Sequence, residues 1–301
     1  MTKSSVLPWV ALLTFGAGWG AMQPANKIVV EGGFEPFGIM VWQGVITLVL
    51  AGAFAWRLGV PKGREQWVIC AQIAILGTLI PHFASFTAVA HLPAGLMAII
   101  LSTIPIFALV IGLSIGREVL SWRLALGLLL GLGAITLIAA SRGDIWGGAI
   151  WAVLIGLLAP LCYSTNSTLL GARGMAGLHP LQAFAGAAAI FLPVSVLAAV
   201  TTGQLRGLGT DLPSLALVAT AVGHTLIYAG FLWLVTQAGA VFASQTAYLV
   251  TGFGIVWSML FLGERYEVGV WIALGMMFIG LSLVRPAAKS VAPTRVTGET
   301  K

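Results

Sequence analysis

The chain has 301 residues, of which 59% are hydrophobic and 8% are charged, and its formal net charge is +6. A soluble domain carries about 25% charged residues, so this composition cannot coat a water-facing surface and excludes a soluble globular protein. Selective placement of Lys and Arg on one side of a membrane produces such a cationic excess. We therefore expect the lipid bilayer, and not nucleic acid, as its partner.

The apolar runs predict about ten membrane-crossing helices, because each crossing needs about 20 apolar residues. Residues 287–301 are polar and predict a disordered tail. The fold class is therefore an all-α membrane protein, with helices expected at 6–30, 36–57, 66–90, 93–116, 120–141, 146–171, 179–201, 212–236, 239–262 and 267–285.

The distribution of basic residues predicts the orientation of these helices. If the N-terminus is cytoplasmic, eleven Lys and Arg residues lie on the cytoplasmic side and four lie outside. This asymmetry agrees with the positive-inside rule. We expect a multi-pass protein of the bacterial inner membrane with both termini in the cytoplasm.

The second half of the chain repeats features of the first at a spacing of 142 to 147 residues. His82 corresponds to His224, and each histidine is followed four residues later by an aromatic residue, Phe86 or Tyr228. Five helices per copy is an odd number, so the copies must cross the membrane in opposite directions. We expect a first repeat at 1–143 and an inverted second repeat at 144–286, an arrangement typical of transporters.

Several short motifs indicate a family. Lys27 follows Trp19-Gly20 by seven residues, and Ile104-Pro105-Ile106-Phe107 precedes an Arg117-Glu118 turn. Their order resembles the drug/metabolite transporter superfamily, in its EamA-like group of ten-helix exporters. The chain is most similar there to the YddG-type exporters of aromatic amino acids. The family usually has an arginine where this chain has Gln43, and the second repeat has Thr251-Gly252 near the position that matches Pro105.

Polar and aromatic residues within the spans are the candidates for binding a substrate, because a polar group in a membrane is costly unless it meets a cavity or a partner. Several share a helix face at spacings of three or four residues, which predicts a cavity with aromatic walls. Lys27 either reaches this cavity or extends to the outer interface. The candidates are Trp19, Gln23, Asn26, Lys27, Gln43, His82, Ser85, Phe86, Tyr163, Asn166, His224, Tyr228, Gln245 and Tyr248.

Prolines and glycines within the spans predict bends and close helix packing. Pro24, Pro105 and Pro160 are candidate hinges, although a static kink is equally consistent with each. Gly16-x3-Gly20 and Gly127-x3-Gly131 allow two helices to approach closely, either within the chain or in a homodimer.

The nine Asp and Glu residues fall at predicted helix ends, in loops or in the tail. Because a proton-driven antiporter usually holds a buried carboxylate, we expect facilitative export. The leading hypothesis is alternating-access export of aromatic or other hydrophobic amino acids and related metabolites. The alternatives are an exporter of drugs or toxic compounds, with or without proton coupling, and an intramembrane scaffold or sensor.

Motifs of other classes are absent from the sequence. It contains no H-E-x-x-H zinc motif and no G-x-x-x-x-G-K-[ST] nucleotide loop. We therefore expect no enzyme activity, no metal and no cofactor, and a small molecule as the substrate.

Overall fold

This computed structural model describes residues 3–89, 100–116, 121–140, 150–262 and 268–283, and within these ranges the regular structure is entirely helical. A 3-10 turn, Trp56–Leu58, follows α2, and a π turn, Ile75–Leu79, joins α3 to α4. The helices are α1 Lys3–Glu31, α2 Pro36–Ala55, α3 Gly63–Ala74, α4 Ile80–Val89, α5 Ile104–Ser114, α6 Trp122–Ala140, α7 Ile150–Gly156, α8 Leu158–Arg173, α9 Pro180–Thr201, α10 Leu212–Ala238, α11 Ala240–Ser244, α12 Thr246–Leu262 and α13 Val268–Leu283.

Several of these helices are long and apolar enough to cross a membrane. Two shorter apolar helices, Ile104–Ser114 and Trp122–Ala134, add to them. Large apolar side chains are exposed along the spans, including Val49, Phe54 and Leu197, as expected for surfaces that face lipid. Among the described residues the six long spans are Pro36–Leu58, Gly63–Ala88, Trp151–Arg173, Pro180–Thr201, Leu212–Ala238 and Ala240–Trp257.

The predicted helix at 66–90 is interrupted, because Pro81 has no N–H with which to continue the regular ladder. The amide of Ile80 instead bonds the carbonyl of Ile75, five residues back, which makes the π turn. The helix predicted at 146–171 contains a turn at Leu157, three residues before Pro160, which divides it into α7 and α8. The amide of Leu157 still bonds the carbonyl of Val153, and the segment forms one span, Trp151–Arg173.

The predicted helix at 239–262 is interrupted without a proline. The amide of Gln245 bonds the carbonyl of Phe242, and the amide of Tyr248 bonds the carbonyl of Gln245, so this turn is tighter than an α-helix. In the predicted helix at 93–116, α5 begins at Ile104 after a turn at Ser102 and Thr103. Residues 91–99 and the tail at 287–301 lie outside the described residues.

Helices from the first half of the chain pack mainly against helices from the second half. α1 lies against α10 and α12, and α8 lies against α4 and α5. α2 packs against α9, and α6 packs against α13. Each of these pairs places a helix before residue 143 against a helix after residue 144, so neither half forms its own separate core.

The two Gly-x3-Gly patterns are used for packing within the chain. A Cβ atom at Gly20 would lie 2.9 Å from Cβ of Phe253, and one at Gly16 would collide with Leu249, so both glycines let α1 approach α12. A Cβ atom at Gly131 would collide with the ring of Tyr248. These contacts account for the glycines without a second copy of the chain, and the homodimer stays a prediction.

Hydrogen bonds tie the α2–α9 pair at both of its ends. At the end near the start of α2, the Phe37 amide donates to Oε1 of Gln204 at 2.9 Å, and Nε1 of Trp42 donates to the Arg206 carbonyl at 2.8 Å. At the opposite end, Nε2 of Gln182 donates to the Gly59 carbonyl at 2.7 Å. We call this doubly tied pair the α2–α9 seam.

The loop before α10 is organised by charged and polar side chains. The guanidinium of Arg206 lies over the Phe34 ring, 4.4 Å from its centroid, and bonds Asp211 at 3.3 Å. A hydrogen bond from Ser214 lowers the pKa of the Asp211 carboxyl below its ordinary value, and the charge of Arg206 acts in the same direction. The ionised carboxylate is therefore the form that this loop stabilises.

We expect Ser214→Ala to raise the pKa of Asp211 toward its ordinary value of about 3.9, because the first of these interactions is lost. The sign for stability follows from the lowered pKa. Ionised Asp211 stabilises the fold above the unfolded-state pKa, and that contribution is lost as the pH falls through the folded-state pKa. An NMR titration of the side-chain carboxyl measures the shift, with Ser195→Ala on α9 as the control, and an unchanged pKa in Ser214→Ala would contradict the expectation.

Candidate functional site

Six aromatic and imidazole rings lie together where the two halves of the chain meet. We call this group the ring cluster: Trp19, His82, Phe184, His224, Tyr228 and Phe231. His82 lies on α4 and His224 on α10, and their ring centroids are 5.4 Å apart at an interplanar angle of 66°. The two histidines that the repeat relates are thus in edge-to-face contact.

Aromatic rings surround this histidine pair. The His224 ring stacks on Tyr228 at 5.5 Å with an angle of 18°, and Tyr228 lies 4.6 Å from Phe184. Trp19 packs edge-on against Phe231 at 5.4 Å. Ring pairs in these geometries stabilise one another by about 0.5–1.5 kcal/mol beyond their burial, so the arrangement is held firmly.

A chain of hydrogen bonds anchors the ring cluster to the neighbouring helices. Nε1 of Trp19 donates to Nδ1 of His224 at 3.3 Å. Nδ2 of Asn166 donates to the Tyr228 hydroxyl at 3.1 Å, and Nε2 of Gln72 donates to Oδ1 of Asn166 at 3.1 Å. These three hydrogen bonds therefore join side chains of α1, α3, α8 and α10 at the ring cluster.

The π turn makes room for the Tyr228 hydroxyl. Gly77 lies in that turn, and a Cβ atom there would collide with this hydroxyl and would lie 3.2 Å from Nδ2 of Asn166. A glycine is therefore required where the turn meets the Asn166–Tyr228 bond. Single π turns occur often at functional sites, and this one stands directly before His82.

Four buried polar atoms on the helices around the histidine pair have no hydrogen-bond partner within the described protein. A buried group in this state costs about 1–3 kcal/mol unless something pairs with it. The Thr47 and Thr225 hydroxyls bond each other at 2.8 Å where α2, which carries Gln43, packs against α10, which carries His224. The four atoms are Oε1 of Gln43, Oγ1 of Thr78, Nδ1 of His82 and Nε2 of His224.

The structure brings together a part of the predicted site. The grouped residues are Trp19, His82, Phe86, Asn166, His224 and Tyr228, with Phe86 edge-on to His82 at 5.8 Å. Gln43 is buried nearby on α2. Asn26 and Ser85 are half-buried and take part in none of the hydrogen bonds found among the described side chains. The side chains of Gln23 and Lys27 lie outside the described part.

Three predicted residues lie in other environments. Tyr163 packs beside a separate apolar cluster formed by Ala84, Ala88, Ile100 and Ala159. Tyr248 is buried against Gly131 of α6, and Gln245 lies at the break between α11 and α12, where its Nε2 donates to the Val241 carbonyl at 3.2 Å. None of the described ring contacts joins these residues to the ring cluster.

The three candidate hinges differ in their surroundings. Pro24 lies inside α1, which continues through it. Pro105 and Pro160 lie in the first turns of α5 and α8, directly after the interruptions described above. A proline in a first helical turn replaces an N–H that would otherwise be unbonded. Their role as hinges stays a prediction.

Sequence reasoning missed three residues of the site. Gln72 is a polar residue within an apolar run, and the criterion that selected Asn26 and Gln245 would also have selected it. Phe184 and Phe231 carry no such signal, because phenylalanine is common in helices that face lipid. Only the packing of α9 and α10 reveals their place in the ring cluster.

Both halves of the sequence match one known protein family. A sequence model of the EamA-like transporter family matches residues 7–140 and, separately, residues 150–285. The chain belongs to the EamA-like transporter family. It is therefore a membrane transporter, and the family points away from an enzyme.

The chain is also similar to one named transporter and to one solved structure. A protein of Synechocystis sp. named as an uncharacterized transporter is 25% identical over 298 residues, which cover 88% of this chain and 86% of that protein. A solved crystal structure with 15% identity has a TM-score of 0.75 and covers 93% of this chain and 97% of its own, which shows the likeness of fold.

The expectation of no metal in this EamA-like protein stays a prediction. Among the described residues, no three His, Cys, Asp or Glu side chains are grouped as metal ligands would be. The expectation of no cofactor stays a prediction.

Proposed function

We propose that this transporter exports aromatic or other hydrophobic amino acids and related metabolites, by alternating access and down their own gradients. The observation that carries the proposal is the pair of His82 and His224, 5.4 Å apart, one from each half of the chain. They lie among aromatic rings and keep buried ring nitrogens without partners. A site of this kind suits a molecule with an apolar ring and a polar end.

The proposal includes ten spans in two inverted five-helix repeats, 1–143 and 144–286. Support comes from the family model, which matches the chain twice, over 7–140 and 150–285. The contacts between the halves also pair reciprocally: α1 meets α12 as α8 meets α5. Two inverted halves that share a central site can rock about it and open it alternately to each side.

The aromatic preference rests on the rings that surround the histidine pair. The ring centroid of Tyr228 lies 6.4 Å from that of Trp19 and 4.6 Å from that of Phe184. An aromatic substrate would gain stacking contacts with such walls beyond the burial of its apolar surface. Aliphatic amino acids would gain only the burial, so we expect them to be weaker substrates.

The position of the acids supports facilitative export. The four acidic residues within the described ranges lie at helix ends: Glu31, Glu35, Glu65 and Asp211. A toxic cation would favour a carboxylate in the site, and proton exchange usually uses one within the membrane. We expect the orientation predicted above, with both termini in the cytoplasm of a bacterial inner membrane.

The test is uptake of labelled L-phenylalanine into proteoliposomes that contain the full chain, with no pH gradient or membrane potential imposed. We expect saturable uptake that unlabelled aromatic amino acids inhibit more strongly than L-alanine does. Protein-free liposomes and an excess of D-glucose serve as controls for leakage and for non-specific competition.

Each other outcome points to a different mechanism. Uptake that begins only when a proton gradient is applied would contradict the facilitative mechanism. If no amino acid is taken up under either condition but a cationic drug is, the drug-exporter alternative would be favoured. If no solute is taken up at all, the scaffold or sensor alternative would remain.

A further inference from the structure

The hydrogen bond between Trp19 and His224 determines where His224 carries its proton. An indole N–H can only donate, so Nδ1 of His224, 3.3 Å away, must be the acceptor and must lack a proton. A neutral imidazole with an unprotonated Nδ1 carries its single proton on Nε2. His224 is therefore held as the Nε2–H tautomer.

The donor produced in this way has no acceptor within the described protein. Nε2 of His224 is buried and makes no hydrogen bond. The rings around His224 are those of Phe184 and Tyr228, with centroids 6.1 Å and 5.5 Å from that of His224, and that of His82 at 5.4 Å, whose Nδ1 is itself without a hydrogen-bond partner among the described residues. A buried N–H is costly to leave unpaired in an apolar environment, so a ligand that brings an acceptor atom would be favoured there.

We propose that the Nε2–H of His224 donates to a carboxylate oxygen of the substrate, and that Trp19 is the positioning residue that fixes this donor. The proposal rests on the proposed function and narrows it to aromatic substrates that carry a carboxylate. An aromatic amine without a carboxylate offers no acceptor, and its ammonium group would meet an N–H instead. The site thereby distinguishes amino acids from amines of the same shape.

Three compounds with the same ring test the choice of ligand: L-phenylalanine, 3-phenylpropionate and 2-phenylethylamine. Their binding to the full chain in lipid nanodiscs can be measured by titration calorimetry. We expect both carboxylates to bind and the amine to bind about tenfold more weakly or worse, because it leaves the buried donor unpaired. Amine binding as tight as that of the carboxylates, or no binding of either carboxylate, would overturn the proposal.

This measurement separates the two proposals, because binding does not depend on transport. Carboxylate binding without any uptake in proteoliposomes would contradict the proposed function and leave the ligand assignment standing. Amino-acid uptake together with amine binding as tight as carboxylate binding would support the proposed function and contradict the ligand assignment.

The role of Trp19 is tested by Trp19→Phe, which keeps an aromatic ring and removes the N–H. Solid-state NMR of the ¹⁵N-histidine-labelled chain in bilayers reports the tautomer, and the His224 signals are assigned by their loss in His224→Gln. We expect the Nε2–H tautomer alone in the unaltered chain and a mixture of tautomers in Trp19→Phe. An Nδ1–H tautomer in the unaltered chain, or no change in Trp19→Phe, would overturn the positioning role.

Trp257→Phe is the matched control. Its Nε1 also donates to an acceptor on α1, the Ala17 carbonyl at 3.0 Å, and it lies outside the ring cluster. We expect this variant to keep the His224 tautomer and the affinity for 3-phenylpropionate. We expect Trp19→Phe to weaken that affinity several-fold, by less than His224→Leu does.

Discussion

Replacing His82 by leucine is expected to reduce the uptake of L-phenylalanine about tenfold or more, since a ligand group that pairs with the buried imidazole nitrogen would lose its partner. The ring of His82 also contacts that of His224, with the ring centroids 5.4 Å apart. Leucine has a similar volume and fills the space, so the fold should persist. Initial uptake rates in proteoliposomes with equal protein content measure the effect.

Phe83→Leu is the control for this prediction. Phe83 is the next residue on α4, but its side chain is exposed and stacks on Phe37 at 5.7 Å, away from the histidine pair. We expect uptake in this variant to remain within about twofold of the unaltered protein, because surface substitutions rarely cost much. Equal uptake by His82→Leu and the unaltered protein would remove His82 from the site.

The second large effect is expected for Gly131→Ala, which should destabilise the protein by about 1–3 kcal/mol through overpacking. The new methyl group would collide with the ring of Tyr248, which is only 1% exposed and so has no free space into which to move. We expect the unfolding temperature in detergent to fall by several degrees. Fluorescence-detected unfolding of the purified chain measures it.

Gly52→Ala is the matched control, because nothing lies within 4 Å of a Cβ atom built at that glycine of α2. Alanine is the better helix former by about 1 kcal/mol, so this variant should be as stable as the unaltered protein or more so. A fall in stability that is equal in both variants would show that the contact with Tyr248 is not the cause.

Much of the fold could be predicted from the sequence, because a membrane demands long apolar helices and short connections. The bounds of α2, α9 and α10 agree with the predicted spans to within two residues. The interruptions could not be predicted in the same way. A proline signals that a helix is strained and does not say whether the chain continues, as at Pro24, or restarts, as at Pro160.

The break at Gln245 shows a different limit of sequence reasoning. Gln245 and Tyr248 are spaced to share a helix face, and for that reason they were predicted to point into one cavity. Spacing fixes which residues share a face but not which neighbour that face meets. Tyr248 meets Gly131 of α6, and this long-range pairing depends on how the two halves assemble.

The histidine pair could be predicted because two independent signals coincide. Histidine is rare within a membrane, and His82 and His224 are separated by the spacing of the repeat. Their contact also required α4 and α10 to meet at the same depth. Gln43 was predicted because it stands where the family usually has an arginine, and its Oε1 is buried without a partner among the described residues.

The α2–α9 seam bears on the route that a solute takes through the protein. Hydrogen bonds close it at the Phe37–Gln204 end and at the Gly59–Gln182 end, and Gly44 lies close to Leu192 between them. The contacts described along this pair therefore hold α2 and α9 together at both ends and between them. We therefore expect the substrate pathway to open between other helices on each side of the membrane. The α2–α9 seam would line that pathway without moving apart.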